Sequence, residues 1–447
     1  MKPVAIAGAG ISGLTAAFYL QKRGIPVVVY EASDRCGGMI DTTSRGGFLA
    51  ESGPNTILTN SVAVPTLIHD LDLDGRRLLP TGNGSIRYIV RDRRPIPLPA
   101  SPAGAVGTKI LSFGAKLRVL AEPLIPRGAG NDESLSGFVR RRLGQEFLDY
   151  LIDPFVAGVY AGDPDRLSAS HAFPKMTDME LRYGSLIKGA VLGAKERRQR
   201  NAPIKSEPRM FTLDRGLKAL PERLQARLNG AIRLKCPVLR IDKTGEGWQV
   251  QSPAGAESYS GVVLSSPAHQ LMPLFPDFEG LEQVYYPPIA RVALGFRRSQ
   301  VVHSLEGFGA LVPKLEGMNI LGVLFSSAMF PNRAPEDHVL LTVFAGGARN
   351  AALAQRPEEE IARIAVEDLR TLLGVEGQPV YTDVLKVERS IPQYNVGYGA
   401  VKDLIQRAES RSPGLFVAGS FSHGISVSDC IAGGAAAAER VANYCCA

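Results

Sequence analysis

The start of the chain carries a regular succession of apolar and polar positions. An apolar run, Val4–Ala7, leads into three closely spaced glycines, and helical spacing of apolar residues follows over positions 14–22. A second apolar run, Val27–Tyr30, then ends at an acidic residue, Glu31. This pattern predicts a strand, a helix and a second strand of a parallel sheet.

Helical and strand-like patterns alternate in long blocks over the rest of the chain. A Pro-rich segment at 95–99 opens a block with helical patterns at 108–122, 134–156 and 181–200. Strand-like runs return at 232–238, 248–250 and 262–264, and a second set follows at 291–296, 307–312, 321–325 and 338–345. One helix is expected at 357–373, because acids occupy its first turn and Arg370 its last.

The end of the chain repeats the order of strand, glycine and helix. We expect a strand over 414–419, a loop over 420–430 and a helix rich in small residues from Ile431 onwards. A helix N-terminus at this place would stabilise negative charge on a reduced cofactor. A helix–helix contact rich in Ala and Gly is the alternative interpretation.

Composition and charge narrow the class of protein. The chain has 447 residues, of which 45% are hydrophobic, and a formal net charge of +7, so several domains and a large core are expected. The five cysteines form no CxxC pair, and no spacing of His or Cys predicts a metal site. We therefore expect a reduced, cytoplasmic protein without a metal, without a transmembrane helix and without nucleic acid as a partner.

The three glycines at the start of the chain predict dinucleotide binding. Gly8 permits a tight turn, Gly10 lets the backbone approach a pyrophosphate, and Gly13 lets the helix pack closely on the sheet. Glu31, at the end of the second strand, can accept hydrogen bonds from a ribose hydroxyl group.

A second glycine pair favours an extended flavin cofactor over a nicotinamide. Arg35 and the pair Gly37 and Gly38 follow the acidic residue closely, which would let the backbone pass near a long cofactor a second time. The loop at 51–55 then predicts a contact with the flavin end.

Positive charge is concentrated in two stretches of the helical block. Residues 89–130 hold seven Lys and Arg against two acids, and residues 181–209 hold eight against two. Basic helices with apolar faces favour attachment to an anionic membrane surface. A solvated helical subdomain is the alternative interpretation.

Taken together, these motifs resemble the FAD-dependent, oxygen-dependent protoporphyrinogen oxidase family, and the match extends over most of the chain. The residues that carry the resemblance lie at 31–35, 37–38, 53–55, 151–164, 305–313, 325–335, 391–394, 418–419 and 429–431.

The resemblance implies an α/β fold with the architecture of an amine-oxidase-like flavoprotein. A Rossmann-type FAD-binding domain would be assembled from 1–86, 210–270 and 406–447. A helical, membrane-associating insert would occupy 87–209, and a mixed-sheet α+β substrate domain would occupy 271–405.

By the same resemblance, the FAD contacts fall at both ends of the chain, and Met39 is expected to contact FAD through its backbone. The expected set is Gly8, Ala9, Gly10, Ile11, Ser12, Gly13, Glu31, Arg35, Gly37, Gly38, Met39, Gly53, Pro54, Asn55, Thr56, Val238, Ser420, Ile425, Ser426 and Val427.

The resemblance also implies a binding site for a tetrapyrrole substrate. Arg94 would pair with a propionate, Leu311 and Phe330 would clamp the pyrrole rings, and Gly158 would let a backbone carbonyl approach the macrocycle. The alternatives are a surface arginine for Arg94 and core positions for Leu311 and Phe330.

The implied reaction is a six-electron oxidation of protoporphyrinogen IX to protoporphyrin IX in haem biosynthesis, in three flavin cycles with molecular oxygen as acceptor. No catalytic acid or base is assigned. Oxidation of coproporphyrinogen III is the alternative, and a flavin amine oxidase and a non-catalytic porphyrin or flavin carrier are remote ones. A peripheral location on the membrane is expected, and a homodimer stays open.

Overall fold

The computed structural model describes residues 2–82, 84, 86–99, 101–128, 130, 132–199, 209–245 and 247–446. The strands of these residues, in chain order, are Val4–Ala7 (β1), Val27–Tyr30 (β2), Thr42–Arg45 (β3), Phe48–Glu51 (β4), Ile57–Leu58 (β5), Arg77–Leu78 (β6), Arg87–Arg91 (β7), Arg94–Pro97 (β8), Met210–Leu213 (β9), Ile232–Arg233 (β10), Arg240–Thr244 (β11), Gly247–Ser252 (β12), Gly255–Tyr259 (β13), Gly261–Leu264 (β14), Ile289–Arg297 (β15), Gly309–Leu311 (β16), Ile320–Leu324 (β17), His338–Gly346 (β18), Tyr381–Val387 (β19) and Leu415–Val417 (β20).

The helices are Ile11–Lys22 (α1), Ala63–Asp70 (α2), Pro102–Gly107 (α3), Phe113–Leu120 (α4), Leu135–Leu143 (α5), Gln145–Phe147 (α6), Asp153–Tyr160 (α7), Ala169–Ala172 (α8), Pro174–Tyr183 (α9), Leu186–Gln199 (α10), Ala219–Arg227 (α11), Ser326–Met329 (α12), Glu358–Leu373 (α13), Gly399–Arg411 (α14), Ser420–His423 (α15) and Val427–Cys446 (α16). In the part of the chain that the structure describes, no helix is both long and apolar enough to cross a membrane.

Strands from distant parts of the chain form one parallel sheet. Within the described residues it has five strands in the order β10-β2-β1-β14-β20, and every neighbouring pair is parallel. β1 is central and wholly buried, which explains why its sequence is a continuous apolar run rather than an alternating one. The first and last segments of the chain therefore share one sheet.

The two terminal helices pack directly against each other on this sheet. A Cβ added at Gly434 of α16 would lie 2.3 Å from the backbone oxygen of Ser12 in α1, so only a glycine fits there. The Ala- and Gly-rich sequence at 432–438 thus produces a close helix–helix contact, which was the alternative interpretation of that stretch. This contact brings the beginning of α16 to the N-terminal turns of α1.

A larger mixed sheet forms the second layer. Its seven strands, in the described residues, run in the order β19-β15-β18-β17-β16-β7-β8. One face packs against α13 through a buried apolar cluster that includes Val292, Leu341 and Leu369. The opposite face carries Leu311, whose side chain contacts α7 at Gly158. We call it the inner face.

Several predicted elements differ from the observed ones. Of the helix predicted at 108–122, α4 covers only the eight residues Phe113–Leu120. The helix predicted at 134–156 is divided into short helices around a π-helical turn, Leu148–Ile152. The helix predicted at 181–200 is interrupted by the break between α9 and α10. The strand predicted at 232–238 is only two residues long, since Lys235 has a positive φ. The predicted loop at 420–430 is wrong in part, because α15 and the first turn of α16 lie within it.

The division into domains stays a prediction, but two strands bear on it. β7 and β8, which the prediction placed in the helical insert, pair with β16 and extend the seven-stranded sheet. Residues 200–208 of the predicted insert lie outside the described residues.

We predict that Gly434→Ala destabilises the protein, whereas Gly114→Ala does not. The new methyl group at position 434 would collide with the backbone of α1, and such overpacking costs about 1–3 kcal/mol. Gly114 lies in α4, where an added Cβ would meet nothing within 4 Å, so alanine should leave stability unchanged or raise it slightly. Urea unfolding followed by circular dichroism measures both variants, and equal midpoints would contradict the described contact.

Candidate active site

The glycine-rich turn between β1 and α1 has the geometry that its sequence predicts. Gly8 has a φ of 105°, in the left-handed region that favours glycine. A Cβ at Gly13 would lie 2.1 Å from the oxygen of Gly8, so this glycine lets α1 pack against the turn. Ser265, at the end of β14, donates hydrogen bonds to the oxygens of Ala7 and Gly8 at 3.0 and 2.8 Å. Ser265, which the sequence analysis missed, therefore fixes the turn from the neighbouring strand.

The N-terminus of α1 fits a phosphate group. Gly10 is its N-cap and provides no side-chain hydrogen bond to the first amides. A Cβ built on Gly10 would meet no atom within 4 Å, so the space in front of it is open. Uncapped amides and the positive end of the helix dipole suit a pyrophosphate, as FAD requires.

Glu31 lies beside this helix terminus, as predicted. Its Oε2 accepts a hydrogen bond from the backbone N–H of Ala9 at 2.8 Å, and its Oε1 accepts from the N–H and the hydroxyl of Ser33. The carboxylate thus stands at the C-terminal end of β2, next to the glycine turn, where a ribose hydroxyl could donate to it.

The second glycine pair is folded back against the first glycine turn. The N–H of Gly37 donates to the oxygen of Ala9 at 2.8 Å, and a Cβ on Gly38 would lie 3.4 Å from the Cα of Gly10. The Arg35 guanidinium donates to the oxygen of Gly38 at 2.7 Å. Arg35 therefore shapes this loop through backbone oxygens, and its direct contact with the cofactor stays a prediction.

The segment at 53–56 adjoins the same loop and is tied to the C-terminal helix. A Cβ at Gly53 would lie 2.6 Å from the backbone oxygen of Met39, and Asn55 donates to the oxygen of Gly53 at 3.2 Å. Ser428 of α16 donates a hydrogen bond to the oxygen of Leu58, just beyond this segment. Pro54 and Thr56 are half-buried between these contacts.

The C-terminal segment of the predicted cofactor site is held by two tyrosines. The hydroxyl of Tyr394 donates to the oxygen of Ser420, and that of Tyr398 donates to the oxygen of Phe421 at 2.6 Å. Asp429 accepts from the Ser426 hydroxyl at 2.6 Å and so closes the first turn of α16. Ile425, Val427 and, farther away in the chain, Val238 are half-buried.

Two of the predicted substrate residues are in direct contact. A Cβ added to Gly158 in α7 would lie 2.3 Å from Cδ2 of Leu311 in β16, so the helix backbone rests on that side chain. Asp153, at the start of α7, fixes the helix by accepting from Arg349 and from the N–H of Lys314, each at 2.8 Å. Burial raises the pKa of the Asp153 carboxyl, and Arg349 opposes that rise.

Phe330 is farther from this contact and is almost wholly buried, with 2% of its surface exposed. The guanidinium of Arg333 lies 5.8 Å from the Phe330 ring centre and forms a buried ion pair with Glu51 of β4 at 2.7 Å. Burial raises the pKa of Glu51, and the charge of Arg333 opposes it. This environment is that of a core residue, and the stacking role of Phe330 stays a prediction.

Arg94 lies at the first position of the edge strand β8 and is exposed. It pairs with Arg91 across the hairpin. The Arg91 side chain donates a hydrogen bond to Glu146 at 2.6 Å and lies over the Tyr150 ring. Within the part of the chain that the structure describes, Arg94 has no hydrogen-bond or ion-pair partner. The register places it on the inner face, on the same side as Leu311, so a ligand could reach it.

Buried phenol and thiol groups surround the place where α7 meets the C-terminal segment. Burial, with a further contribution from the charge of Asp429, raises the pKa of Tyr160 to about 12. Burial also raises the pKa of Tyr394 and brings that of the Cys430 thiol to about 11. These groups stay neutral near pH 7. Among the described residues, no group of His, Cys, Asp and Glu could hold a metal ion.

Residues 11–442 match the protein family described as flavin containing amine oxidoreductase. The chain is 36% identical to the mitochondrial protoporphyrinogen oxidase of Nicotiana tabacum, over 99% of this chain and 95% of that relative. It is 29% identical to the coproporphyrinogen III oxidase of Bacillus subtilis (strain 168), over 99% of this chain and 98% of that relative. A solved structure from Exiguobacterium sp. 255-15, provisionally assigned as a protoporphyrinogen oxidase, has a TM-score of 0.83 and 27% identity over 98% of both chains. These similarities confirm the predicted fold class.

We predict that Glu31→Ala weakens FAD binding about tenfold to a hundredfold, because a hydrogen bond to a charged group contributes about 1.5–3 kcal/mol. Titration of the FAD-free protein by flavin fluorescence gives the dissociation constant. Glu222→Ala, which removes an exposed carboxylate from α11, is the matched control and should bind FAD as the unmodified chain does. Equal affinities for both variants would exclude Glu31 from the cofactor site.

Proposed function

Because this chain belongs to the flavin-containing amine oxidoreductases, and within them to the protoporphyrinogen oxidases, we propose that it oxidises protoporphyrinogen IX to protoporphyrin IX. FAD is the cofactor, and molecular oxygen is the proposed electron acceptor. Each catalytic cycle removes one hydride and one proton from the porphyrinogen, and three cycles with three oxygen molecules yield the porphyrin and three molecules of hydrogen peroxide.

Two hydrogen bonds, with short chain segments between them, connect the proposed substrate surface to the proposed cofactor segment, and this connection carries the proposal. Gly158, which rests on Leu311, lies two residues before Tyr160, whose backbone oxygen accepts from the Gln393 side chain at 2.7 Å. The next residue, Tyr394, donates through its hydroxyl to the oxygen of Ser420 in the C-terminal cofactor segment. The end of α7 and residues 393–394 therefore connect the proposed substrate surface with the proposed cofactor segment, which supports an oxidation at their boundary.

The chain's own residues contribute binding and orientation. When bound, FAD supplies a two-electron acceptor and passes those electrons to oxygen. Leu311 and the backbone of Gly158 would hold the macrocycle, and Arg94 would fix its carboxylate edge. The neutral phenols of Tyr160 and Tyr394 add no charge to this region. Burial raises their pKa values, so both stay protonated near pH 7 and offer no phenolate that could accept a proton. We therefore assign no side chain as general acid or base.

The preference for protoporphyrinogen over coproporphyrinogen rests on the carboxylates of the two substrates. Protoporphyrinogen has two propionates on one edge. Arg94, whose side chain has no partner among the described residues, lies at one end of the inner face and suits that edge. Coproporphyrinogen III has four propionates and would need further free cations. Oxidation of coproporphyrinogen III is the second candidate function, because the coproporphyrinogen III oxidase of Bacillus subtilis (strain 168) matches 99% of this chain.

We also propose attachment of the helical insert to an anionic membrane surface. The proposed division into domains is the one expected from the sequence, except that β7 and β8 extend the seven-stranded sheet. Helix α4 has no buried residue, and Phe113, Leu117 and Leu120 are 76%, 50% and 70% exposed. They recur at positions i, i+4 and i+7, so they form one apolar stripe along a helix in a basic stretch. A stripe of this kind suits an interfacial helix that lies on lipid without spanning it.

The FAD-loaded protein should be yellow and should convert protoporphyrinogen into a fluorescent porphyrin while oxygen is consumed. Porphyrin fluorescence and an oxygen electrode follow the reaction, and coproporphyrinogen III is assayed in parallel. A higher kcat/KM for protoporphyrinogen is expected. Faster turnover of coproporphyrinogen would reassign the substrate, and binding without flavin reduction under anaerobic conditions would indicate a carrier.

Arg94→Ala should lower kcat/KM for protoporphyrinogen about tenfold, chiefly through KM, because a charge-assisted contact with a propionate is lost. Arg94→Lys should recover part of the loss, since it retains the charge. The dimethyl ester of the substrate lacks the carboxylates and should respond little to the substitution. An equal effect of Arg94→Ala on acid and ester would contradict the assignment.

Replacement of both Phe113 and Leu117 by Glu should abolish most of the co-sedimentation with vesicles of anionic lipid. The substitution removes the apolar contact and adds negative charge opposite the lipid headgroups. Val302→Glu, at a site 74% exposed and outside the helical insert, is the matched control and should sediment normally. Equal sedimentation of the two variants would refute the proposed attachment.

A further inference from the structure

The inner face of the seven-stranded sheet carries a row of residues, one from each of the seven strands. Residues paired across neighbouring strands point to the same face, and the register gives this row directly. In strand order from β19 to β8 it comprises Leu385, Arg291, Phe344, Gly322, Leu311, Ile89 and Ile96.

Phe344 extends the proposed substrate surface beyond Leu311. It is half-buried and is separated from Leu311 only by Gly322, where an added Cβ would lie 3.3 Å from Cδ2 of Leu311, so the leucine side chain leans over this glycine towards Phe344. A leucine, a glycine and a phenylalanine in succession make an apolar surface, as a flat macrocycle requires.

Beyond Phe344 the next member of the row is a buried cation, Arg291. The Arg291 side chain is 3% exposed and donates through Nη1 to the Asp383 carboxylate at 2.6 Å and to the Asp383 backbone oxygen at 3.1 Å. Its Nε is buried and has no hydrogen-bond partner among the described residues. A buried donor without a partner is costly and indicates an acceptor that is absent from the protein itself.

A second unpartnered polar atom lies on the same face nearby. The Tyr381 hydroxyl, two residues before Asp383 in β19, is also buried and has no hydrogen-bond partner in the described residues. Its ring stacks on Phe48 at 4.8 Å, so the tyrosine is fixed in this orientation. This end of the row is therefore polar and not fully satisfied. Asp383 neutralises Arg291, while Arg45 lies 5.1 Å from the Tyr381 ring centre and donates to the backbone oxygen of Thr382.

The two ends of the inner face differ in charge. Arg94, at the β8 end, is an exposed cation without a partner, whereas Arg291, at the β15 end, is neutralised by Asp383. Five strand spacings separate β15 from β8, or about 24 Å at the backbone. Two arginine side chains that reach inwards over that separation could stand at opposite edges of one tetrapyrrole.

We propose that Asp383 determines substrate specificity by cancelling the charge of Arg291, so that the far end of the site accepts uncharged substituents and not carboxylates. The inference rests on the proposed function and defines its substrate class as porphyrinogens with carboxylates on one edge only. The two unpartnered polar atoms are satisfied by water or by a neutral acceptor.

The physical reason is the competition for one guanidinium. A propionate brought to Arg291 would approach Asp383 as well, and two carboxylates in a buried site repel each other. An uncharged side chain of the same shape at position 383 leaves Arg291 buried without a counter-charge. Arg291 then binds an incoming carboxylate strongly, because an unpaired buried charge is costly. Asp383→Asn should therefore convert the neutral end of the site into an anion site.

The test compares two substrates on the FAD-loaded protein. Asp383→Asn should raise the ratio of kcat/KM for coproporphyrinogen III to that for protoporphyrinogen IX at least tenfold. Binding of the oxidised porphyrins, followed by quenching of porphyrin fluorescence, should shift in the same direction towards coproporphyrin. The double variant Arg291→Gln, Asp383→Asn has no cation at position 291 and should return both ratios to those of the unmodified chain.

Glu360→Gln is the matched control, because it releases Arg356 from an exposed ion pair on α13, on the other face of the same sheet. It should leave both ratios unchanged. If Asp383→Asn does not fold, Asp383→Ser makes the same comparison with a smaller neutral side chain.

The outcomes separate this inference from the proposed function. If the unmodified chain oxidises protoporphyrinogen and the ratio does not rise in the Asp383 variants, the inference is refuted and the proposed function stands. A rise that persists in the double variant would also refute it, since Arg291 would then play no part. If the unmodified chain oxidises neither porphyrinogen, the proposed function itself fails.

Discussion

The structure depends on a close contact between two helix backbones from opposite ends of the chain. α16 approaches α1 so closely that a side chain at Gly434 would overlap the backbone oxygen of Ser12. This approach brings the first turn of α16 beside the glycine turn that follows β1. Neither terminal segment offers a complete cofactor site alone, because the phosphate-binding amides belong to one and the Ser420–Val427 segment to the other. If these residues bind FAD as proposed, the cofactor site requires both ends of the folded chain.

The second constraint is the position of α7 over the seven-stranded sheet. The ion pair of Asp153 with Arg349 fixes the start of this helix, and hydrogen bonds from Gln393 and Tyr394 join its end to the C-terminal cofactor segment. The inner face is consequently bounded by the helix on one side and by the cofactor-binding layer on the other. Along that face, Arg94 at one end is a cation without a side-chain partner among the described residues, and Arg291 at the other is neutralised by Asp383, which is the charge pattern that the proposed selection of substrate depends on.

The sequence predicts the parts of this arrangement that depend on local physical rules. The order of strand, glycine turn, helix and acid at residues 4–31 requires a particular backbone, and the structure has it, including the positive φ of Gly8. The fold class is confirmed as well. Helix boundaries in the basic block were not predictable in the same way, because Pro154 and the π-helical turn interrupt a pattern whose apolar spacing is continuous.

Contacts between distant segments could not be obtained from the sequence. Ser265 is a single serine after an apolar strand, and only the pairing of β14 with β1 places it under the glycine turn. Arg291 carried a weak signal, since Arg291, Ala293 and Gly295 occupy one face of a strand whose other face is Val292, Leu294 and Phe296. The pairing with Asp383 depends on the register of β19, which no local pattern determines.

Amide hydrogen exchange, measured on the FAD-free protein and at increasing FAD concentrations, tests directly whether both ends of the chain hold one cofactor. Amides in residues 10–14 and in residues 424–431 should become protected together, with the same half-saturating FAD concentration. Protection of the first segment alone, or protection of the two segments at clearly different FAD concentrations, would contradict a single site built from both ends.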